Sequence, residues 1–321
     1  MDAQHPVILR YGKAAIATAA AAIARGGIVA IPTETVYGLA ADATDARAVA
    51  RIYAAKGRPS FNPLIVHVPD LAAAGRIAML DDDARALAAR WWPGPLTLVL
   101  PLRADAGIAA IVTAGLDTIA LRVPAHRAMQ ALLAATGRPL AAPSANASNG
   151  ISPTRAAHVA ASLGARVPLI VDDGACAAGV ESTIVMAGRI LRPGPITAAQ
   201  LGLSGAPDGD GPEGDGPEGV GPERDRIVAP GQLARHYAPA RPLRLDATDA
   251  RQGEWLIGFG PVTGDDTLSA AGDPVEAAAR LFDALHRADA SGRPAIAVAP
   301  VPETGIGAAI NDRLRRAAHR D

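Results

Sequence analysis

Residues 26–69 read GGIVAIPTETVYGLAADATDARAVARIYAAKGRPSFNPLIVHVP, and this stretch decides the fold. The apolar run 28–31 is short and ends at Pro32, which is typical of a buried strand. Residues 33–38 are rich in small hydroxyl side chains and end in a glycine, and they predict a turn. Hydroxyl groups therefore gather at the connection that follows the strand.

A helix and a second strand come after this turn. Asp45 is placed to begin the helix, and apolar residues recur behind it at helical spacing. The helix leads to the loop Lys-Gly-Arg-Pro at 56–59, and the apolar segment 64–68 predicts the second strand, with His67 inside it. Hydroxyls and cations at the connections of a strand–helix–strand unit indicate a site for a phosphorylated ligand.

Length and composition predict two globular domains. At 321 residues the chain exceeds one typical domain, and 49% hydrophobic residues are enough for a core. Aromatic residues make up only 3%, so the core is expected to consist of small side chains together with Leu, Ile and Val. The net charge of −1 gives no indication of a bulk polyanionic partner.

Cysteine content and hydropathy exclude several classes of protein. Cys176 is the single cysteine, which rules out an internal disulfide and a CxxC zinc site. The first residues lack a basic region followed by a long apolar segment, and no apolar run reaches the ~18 residues that cross a bilayer. We expect a soluble cytoplasmic protein without membrane contact.

Predicted strands and helices alternate from residue 13 to residue 194, which indicates an α/β fold with a twisted, mixed, open sheet. Residues 204–226 then contain acidic Gly- and Pro-rich five-residue repeats, with seven acids against two arginines. Such a segment cannot bury a core and predicts a flexible linker. The predicted organisation is a large domain at 1–203, an acidic linker at 204–229 and a small C-terminal α/β, Rossmann-like domain at 230–321.

Lysine is rare in this chain. Only Lys13 and Lys56 are lysines among the 31 basic residues, so a lysine inside the Lys-Gly-Arg-Pro loop is informative. A compact ammonium and a planar guanidinium are not interchangeable at a phosphate. The alternative for Lys56 is an ordinary exposed loop position.

Seven short motifs occur in order along the large domain. They are Pro-Thr-Glu-Thr-Val-Tyr-Gly-Leu at 32–39, Lys-Gly-Arg-Pro at 56–59, Asn-Pro-Leu at 62–64, Arg-Val-Pro at 122–124, Pro-Ser-Ala-Asn at 143–146, Ser-Thr at 182–183 and Arg-Pro-Gly at 192–194. In this order and spacing they resemble the YrdC-type threonylcarbamoyl-AMP synthases. The second domain, entered through Pro-Gly and His-Tyr-x-Pro, looks like the longer, two-domain form of that family. The resemblance implies a YrdC-like catalytic domain with a concave cationic cavity.

The resemblance also implies an activity. Enzymes of this family make threonylcarbamoyl-AMP from L-threonine, bicarbonate and ATP and release pyrophosphate, which is a nucleotidyltransferase reaction and the first step of tRNA threonylcarbamoyladenosine modification. Mg²⁺ is expected with the ATP phosphates. The expected partners are these substrates and the downstream proteins that transfer the threonylcarbamoyl group to tRNA; direct contact with tRNA is left open.

The family pattern implies roles for individual residues, and no metal-ligating side chain. Lys56 and Arg58 would be the catalytic cations at the phosphates, and Arg122 would pair with the threonine carboxylate as a two-pronged donor. The implied ATP contacts are Lys56, Arg58, Asn62, Thr118, Ser144, Ser152, Arg192 and Tyr237. The implied threonine contacts are Thr35, His67, Arg122, the backbone at Ala142, and Ser182.

Each of these residues also has a purely structural interpretation. His67 in an apolar strand is ordinarily a core histidine with satisfied hydrogen bonds, and Arg122 before a proline could be a solvated strand end. Ser144 could shape a turn or cap a helix, and the hydroxyls of Ser182 and Thr118 could lie at strand edges. Tyr237 could be packing at the start of the second domain.

Two other functions compete with the synthase. An RNA-binding module could use the same cationic cavity, but the near-neutral charge and the lack of a basic stripe with aromatic residues argue against it. The carbamoyl-adenylating part of hydrogenase-maturation proteins is built on the same motifs. Those proteins carry zinc-finger cysteines, which a single cysteine cannot supply.

Overall fold

The computed structural model describes residues 5–203, 229 and 236–319. The predicted acidic linker at 204–229 lies outside the described residues apart from Ala229, and so does the predicted domain entry at 230–235. Among the described residues, no helix has both the length and the apolar character needed to cross a membrane.

Strands and helices alternate along both parts of the chain. The strands are β1 (Val7–Arg10), β2 (Val29–Pro32), β3 (Tyr37–Asp42), β4 (Ile65–His67), β5 (Leu96–Pro101), β6 (Thr118–Arg122), β7 (Leu140–Ala141), β8 (Leu169–Asp172), β9 (Thr183–Met186), β10 (Arg189–Arg192), β11 (Leu243–Arg244), β12 (Glu254–Gly258), β13 (Asp266–Thr267) and β14 (Ala295–Val298). The helices are α1 (Lys13–Ala24), α2 (Ala46–Lys56), α3 (Leu71–Ile77), α4 (Asp82–Trp91), α5 (Ala110–Thr113), α6 (Arg127–Thr136), α7 (Ala156–Leu163), α8 (Ala198–Leu201), α9 (Pro274–Ala290) and α10 (Gly307–Ala318).

Ten strands form one mixed sheet in the order β1-β8-β2-β3-β7-β4-β6-β5-β9-β10, which confirms the predicted mixed α/β architecture. Parallel pairs such as β4–β6 and β5–β9 alternate with antiparallel pairs such as β2–β3 and β5–β6. Helices cover both faces. Along β2, Val29 and Ile31 pack on the side of α1 and α6, whereas Ala30 packs on the opposite side, as the two-residue period of a strand requires.

The predicted turn at 33–38 is shorter than expected. Tyr37 and Gly38 belong to β3, which folds back antiparallel on β2. A Cβ atom on Gly38 would stand 3.2 Å from the Cβ of Ala142, so the glycine permits a close approach of neighbouring strands there. The start of β3, Tyr-Gly directly after hydroxyl residues, has the composition of a turn. This explains why the sequence predicts a turn at Tyr37 and Gly38.

Helix α2 begins after Asp45, as predicted, and the residues that cap its two ends fix the direction of the chain after Lys56. The Asp45 carboxylate accepts hydrogen bonds from the backbone N–H groups of Arg47 and Ala48, which caps the N-terminus. Gly57 ends the helix in the left-handed region with φ of 60°, a conformation that costs glycine little. The chain therefore turns sharply after Lys56.

The C-terminal part contains a second, smaller sheet of four parallel strands in the order β11-β14-β12-β13. The helices α9 and α10 pack on it, and their apolar side chains share one buried cluster with Val36, Ile151 and Val180 of the larger part. The two parts are thus joined by a continuous apolar core, and α10 reaches the region of the predicted site.

Candidate active site

The predicted site residues meet where several strands of the large sheet end. His67 is the last residue of β4 and Arg122 the last residue of β6, and the two are register partners in this parallel pair. The β2–β3 connection brings Thr35 to the same edge. Ligands of open α/β sheets bind at the carboxyl ends of strands, and the cavity lies at such a position.

Arg122 is buried and held on three sides. Its Nη1 donates to the Thr35 hydroxyl at 2.9 Å, its Nε donates to the Gly94 carbonyl at 3.2 Å, and its Nη2 lies 2.6 Å from the Glu34 carboxylate. Burial alone raises the pKa of the Glu34 carboxyl, but the charge and hydrogen bond of Arg122 bring it below its usual value. The guanidinium fork is therefore fixed in one orientation, and it is not a solvated strand end.

His67 faces the same cavity as a neutral imidazole. Burial, followed by the nearby Arg122 charge, lowers the pKa of His67 to about 3. Both ring nitrogens are buried, and neither finds a hydrogen-bond partner among the described residues. A satisfied core histidine would have such a partner, so the structure favours a ligand-facing histidine.

Ser182 and Arg192 also line the cavity and contact each other. The Ser182 hydroxyl lies 2.7 Å from the hydroxyl of Thr97. Arg192 donates to both the carbonyl and the hydroxyl of Ser182 at 3.0–3.1 Å, and burial lowers the pKa of its guanidinium. A Cβ atom on Gly194 would stand 2.3 Å from the backbone nitrogen of Thr183, which explains why glycine follows Arg192-Pro193.

The two cations at 56 and 58 take different positions. Lys56 is buried and donates to the carbonyls of Ser144 and Asn146 at 2.6 Å each, so it supports the Ser144 segment from behind. Burial lowers the pKa of Lys56 well below its usual value. Arg58 lines the cavity directly; its Nη2 donates to the Asn62 side chain at 2.6 Å and to the Pro63 carbonyl at 2.9 Å. Burial also lowers the pKa of Arg58, to about 10.

A buried ion pair joins the cavity to the C-terminal part. Glu181 lines the cavity and accepts a hydrogen bond from the Ser152 hydroxyl. Its other carboxylate oxygen lies 3.1 Å from Nε of Arg313 on α10. Arg313 is completely buried and also donates to the Pro193 carbonyl at 2.5 Å.

Tyr237 and His236 close the cavity. Tyr237 is fully buried, packs 5.5 Å from the Phe282 ring, and adopts a positive φ of 63°. Its hydroxyl has no hydrogen-bond partner among the described residues. The remaining cavity measures about 50 Å³, room for a few water molecules and far below the roughly 300 Å³ at which ligand pockets begin.

Most of the predicted site residues come together. Those that line the cavity are Thr35, Arg58, His67, Arg122, Ala142, Ser144, Ser182, Arg192 and Tyr237. Those that support the lining residues from behind are Lys56, Asn62 and Ser152.

Thr118 is the one predicted residue that the structure places elsewhere. It begins β6, whereas Arg122 ends that strand, and it lines a separate apolar cavity with Leu98 and Met186. Four residues of extended chain separate these positions by roughly 13 Å. Thr118 therefore does not line the cavity that brings the other predicted residues together, and its contact with ATP stays a prediction.

Sequence reasoning missed three contributors. Glu34 was taken only as a turn residue, although it lies inside the first motif. Glu181 directly precedes the Ser-Thr motif, and that adjacency was a usable signal. Arg313 gave no signal, because it lies in a helix with several other arginines and 132 residues separate it from its partner.

Comparison with known proteins gives two family matches that cover most of the chain. Residues 21–194 match the Sua5_yciO_yrdC family model, described as "Telomere recombination". Residues 196–319 match the model described as "Threonylcarbamoyl-AMP synthase, C-terminal domain".

Individual relatives agree with the family matches over nearly the full length. The threonylcarbamoyl-AMP synthase of Bacillus subtilis is 39% identical over 327 residues, which cover 94% of this chain and 92% of that protein. The protein of the same name from Pyrococcus abyssi is also 39% identical, over 94% of each chain. The crystal structure of P. abyssi Sua5 complexed with L-threonine superposes with a TM-score of 0.85 at 35% identity, over 98% of each chain.

These matches favour the synthase over an RNA-binding module, and they include the second domain as well as the first. The chain belongs to the threonylcarbamoyl-AMP synthase family, in its two-domain form.

Proposed function

We propose that this enzyme makes threonylcarbamoyl-AMP from L-threonine, bicarbonate and ATP and releases pyrophosphate. Family membership over 94% of the chain supports this activity, and the related P. abyssi protein has a structure with L-threonine. The product would pass to the proteins that transfer the threonylcarbamoyl group to tRNA. A cytoplasmic location is part of the proposal, because ATP and tRNA acceptors are available there.

One observation carries the assignment: a single cavity holds a fixed guanidinium fork and a neutral imidazole beside two further guanidinium groups. Arg122, His67, Arg58 and Arg192 all line this cavity. A fork of this kind matches a carboxylate, and a cluster of cations matches a polyphosphate. An amino acid and a nucleotide bound side by side in this cavity would have their reacting groups adjacent.

The threonine half of the reaction follows from these groups. The carboxylate of threonine would bind Arg122, and the neutral His67 would form a hydrogen bond to the amino acid without adding charge. The deprotonated amine attacks the carbon of bicarbonate, an N–C bond forms, and water leaves, which gives the carbamate. Thr35 and Ser182 would fix the threonine hydroxyl and backbone in the orientation this attack requires.

The nucleotide half needs charge stabilisation and no covalent catalyst. A carbamate oxygen attacks the α-phosphorus of ATP, and the bond from that phosphorus to the pyrophosphate oxygen breaks. Negative charge accumulates on the departing pyrophosphate, and Arg58 and Arg192 would stabilise it. Lys56 uses two of its three N–H donors on carbonyl oxygens, so its third donor could contact a phosphate.

Magnesium would enter with the nucleotide. No group of three or more His, Cys, Asp or Glu side chains suited to a metal occurs among the described residues. Glu181, a carboxylate in the cavity wall, has one oxygen bonded to Ser152 and the other to Arg313. This donor set does not fit a resident metal, so we assign Mg²⁺ to the MgATP substrate, held by phosphate oxygens.

ATP needs more room than the cavity offers with Tyr237 in place, so Tyr237 would move to admit the nucleotide and then pack over it. The closed form would exclude water from the mixed anhydride that the reaction creates.

The direct test is pyrophosphate release from ATP by the purified protein, with threonine and bicarbonate omitted in turn. We expect release only when both are present, and a loss of at least about 100-fold in Lys56→Ala and in Arg58→Ala. Lys13→Ala is the matched control, since Lys13 is an exposed lysine on α1 and should retain full activity. Release that does not depend on threonine would refute the proposal.

A further inference from the structure

Arg313 is an unusual residue for a helix of the second domain. Its side chain is completely buried, and its guanidinium crosses from α10 to Glu181 and Pro193 of the larger domain. It also lies 5.5 Å from the centre of the Tyr237 ring. The Arg313 side chain therefore contacts Glu181 in the cavity wall, Pro193 and Tyr237.

The charge on Glu181 makes this contact important. Among the described residues Glu181 forms no ion pair other than the one with Arg313. Asp312, which also contacts Arg313, keeps a second ion pair with Arg316 at 2.9 Å. Loss of Arg313 would thus leave Glu181, and not Asp312, as a buried carboxylate with no ion pair among the described residues, held only by the hydroxyl of Ser152.

An unpaired Glu181 has cations within reach. Glu181 and Arg192 line the same cavity, and Arg192 donates to the carbonyl and the hydroxyl of Ser182, the residue that follows Glu181. In agreement with this geometry, burial lowers the pKa values of Lys56 and Arg192, and the negative charge of Glu181 partly opposes that lowering. Arg192 is a cation that the ATP phosphates are expected to use. A carboxylate freed from Arg313 would pair with it and would also repel the triphosphate.

We propose that Arg313 is a positioning residue of the ATP subsite: it neutralises Glu181 so that this carboxylate does not compete with the triphosphate for Arg192 and Lys56. The inference rests on the proposed function, because it assigns a role within the same reaction. It gives α10 of the second domain a role in the active site, in addition to that of Tyr237. Threonine binding should change little, because Arg122 takes its fixed position from contacts to Glu34, Thr35 and Gly94. Ser182, which Arg192 contacts, keeps the Thr97 hydroxyl as a hydrogen-bond partner.

The test separates the two substrates. In Arg313→Gln we expect the KM for ATP to rise at least about tenfold, while the KM for threonine stays within about twofold of the wild type. A purely structural role would raise both KM values together. Arg315→Gln is the matched control, since Arg315 lies on the same helix, is 57% exposed, and pairs only with the equally exposed Glu303 among the described residues.

A double variant tests the charge argument and remains decisive if Arg313→Gln folds poorly. Glu181→Gln/Arg313→Gln removes both charges of the buried pair, so it should fold and should recover a KM for ATP within about threefold of the wild type. A double variant that folds but keeps the high KM for ATP would overturn the inference, as would an unchanged KM for ATP in Arg313→Gln.

Calorimetric titration with a non-hydrolysable MgATP analogue gives the same comparison without turnover. If the wild-type protein binds the analogue but releases no pyrophosphate with threonine and bicarbonate, the proposed function is wrong. The effect of Arg313→Gln on the affinity for the nucleotide analogue would still be measured in that case. A failure of the proposed function can therefore be told apart from a failure of the inference about Arg313.

Discussion

The two sides of the cavity are built in different ways. The side proposed to bind threonine is made by one domain: Arg122 is held by Glu34, Thr35 and Gly94, and all of these residues lie within the ten-stranded sheet and its connections. The side proposed to bind the nucleotide is made by two domains, because Glu181 pairs with Arg313 of α10 and Tyr237 lines the cavity.

This difference means that a domain contact can control one substrate without the other. Changes inside the large sheet should affect threonine, whereas changes at the contact between the domains should affect ATP. The following predictions test that separation, beginning with the largest expected effect.

Arg122→Lys tests the threonine side. The variant keeps the positive charge but loses the fork that bonds Thr35 and Gly94, so a carboxylate can no longer be held by two parallel hydrogen bonds. We expect kcat/KM for threonine to fall about 100-fold while the KM for ATP changes less than about threefold. Steady-state pyrophosphate release with each substrate varied measures both values.

Arg127→Lys is the control for that experiment. Arg127 also pairs with a carboxylate, that of Asp173, but its side chain is 70% exposed. The substitution should leave both KM values unchanged. An equal loss for both substrates in Arg122→Lys would contradict the separation of the two sides.

Gly179→Ala tests the contact between the domains. Gly179 has a φ of +70°, and an added Cβ atom would stand 2.3 Å from the Ala278 carbonyl oxygen and 2.4 Å from the Ala279 Cα on α9. Backbone atoms cannot yield easily, so α9 would be pushed away and Tyr237 would lose its packing on Phe282. We expect the KM for ATP to rise about tenfold with little change in the KM for threonine.

Gly174→Ala is its matched control. Gly174 precedes Gly179 in the same loop and has a φ of +81°, but nothing lies within 4 Å of its added Cβ atom. It should therefore show only the left-handed backbone penalty, about 1–2 kcal/mol of stability, and a normal KM for ATP. If both variants behave alike, backbone strain rather than the domain contact is responsible.

Acid should loosen the contact between the domains. His158 on α7 stacks on His286 of α9 with 3.8 Å between ring centres, and Asp283, Arg155 and Arg287 surround the pair. Burial, then the neighbouring His286, lowers the pKa of His158 to about 4. In the unfolded chain His158 binds a proton below about pH 6.5, whereas in the folded chain it binds one only near pH 4. The folded state is therefore fully stable above about pH 6.5 and loses stability as the pH falls from there to pH 4.

Protonation of His158 should lower the free energy of unfolding at pH 5 by on the order of 1 kcal/mol. Thermal unfolding at pH 7.5 and pH 5 checks it, with His158→Phe as the comparison, since phenylalanine can still stack but cannot be protonated. The variant should lose less stability on acidification than the wild type. If His158→Phe and the wild type lost the same stability between pH 7.5 and pH 5, the histidine pair would not be the cause of the acid sensitivity.

Tyr237→Phe should have the smallest effect. The Tyr237 hydroxyl is buried without a hydrogen-bond partner among the described residues, so its removal should change the free energy of unfolding by less than about 1 kcal/mol. The KM for ATP should rise about threefold if the hydroxyl contacts the nucleotide. Chemical denaturation and kinetics measure these values; a clear loss of stability would show that the hydroxyl is used inside the protein.

Short motifs identify more of the residues on the proposed threonine side than of those around Glu181 and Arg313, and the reason is physical. Thr35, His67 and Arg122 lie at the ends of strands whose apolar patterns are local, so short motifs locate them. The contact between Glu181 and Arg313 depends on how two domains dock, and no local pattern contains that information. Tyr37 and Gly38 pair with Pro32 and Ile31 of β2, and the sequence predicts a turn there because their composition is that of a turn.

The position of α10 in the chain has a consequence for biosynthesis. The motifs of the large domain are complete at Gly194, whereas Arg313 is added 119 residues later. At roughly 5–20 residues per second, the ribosome needs roughly 6–24 s for that interval, and N-terminal domains fold first. A nascent chain would therefore form its proposed threonine pocket well before Arg313 is present to neutralise Glu181. Full synthase activity would begin only after α10 has been translated.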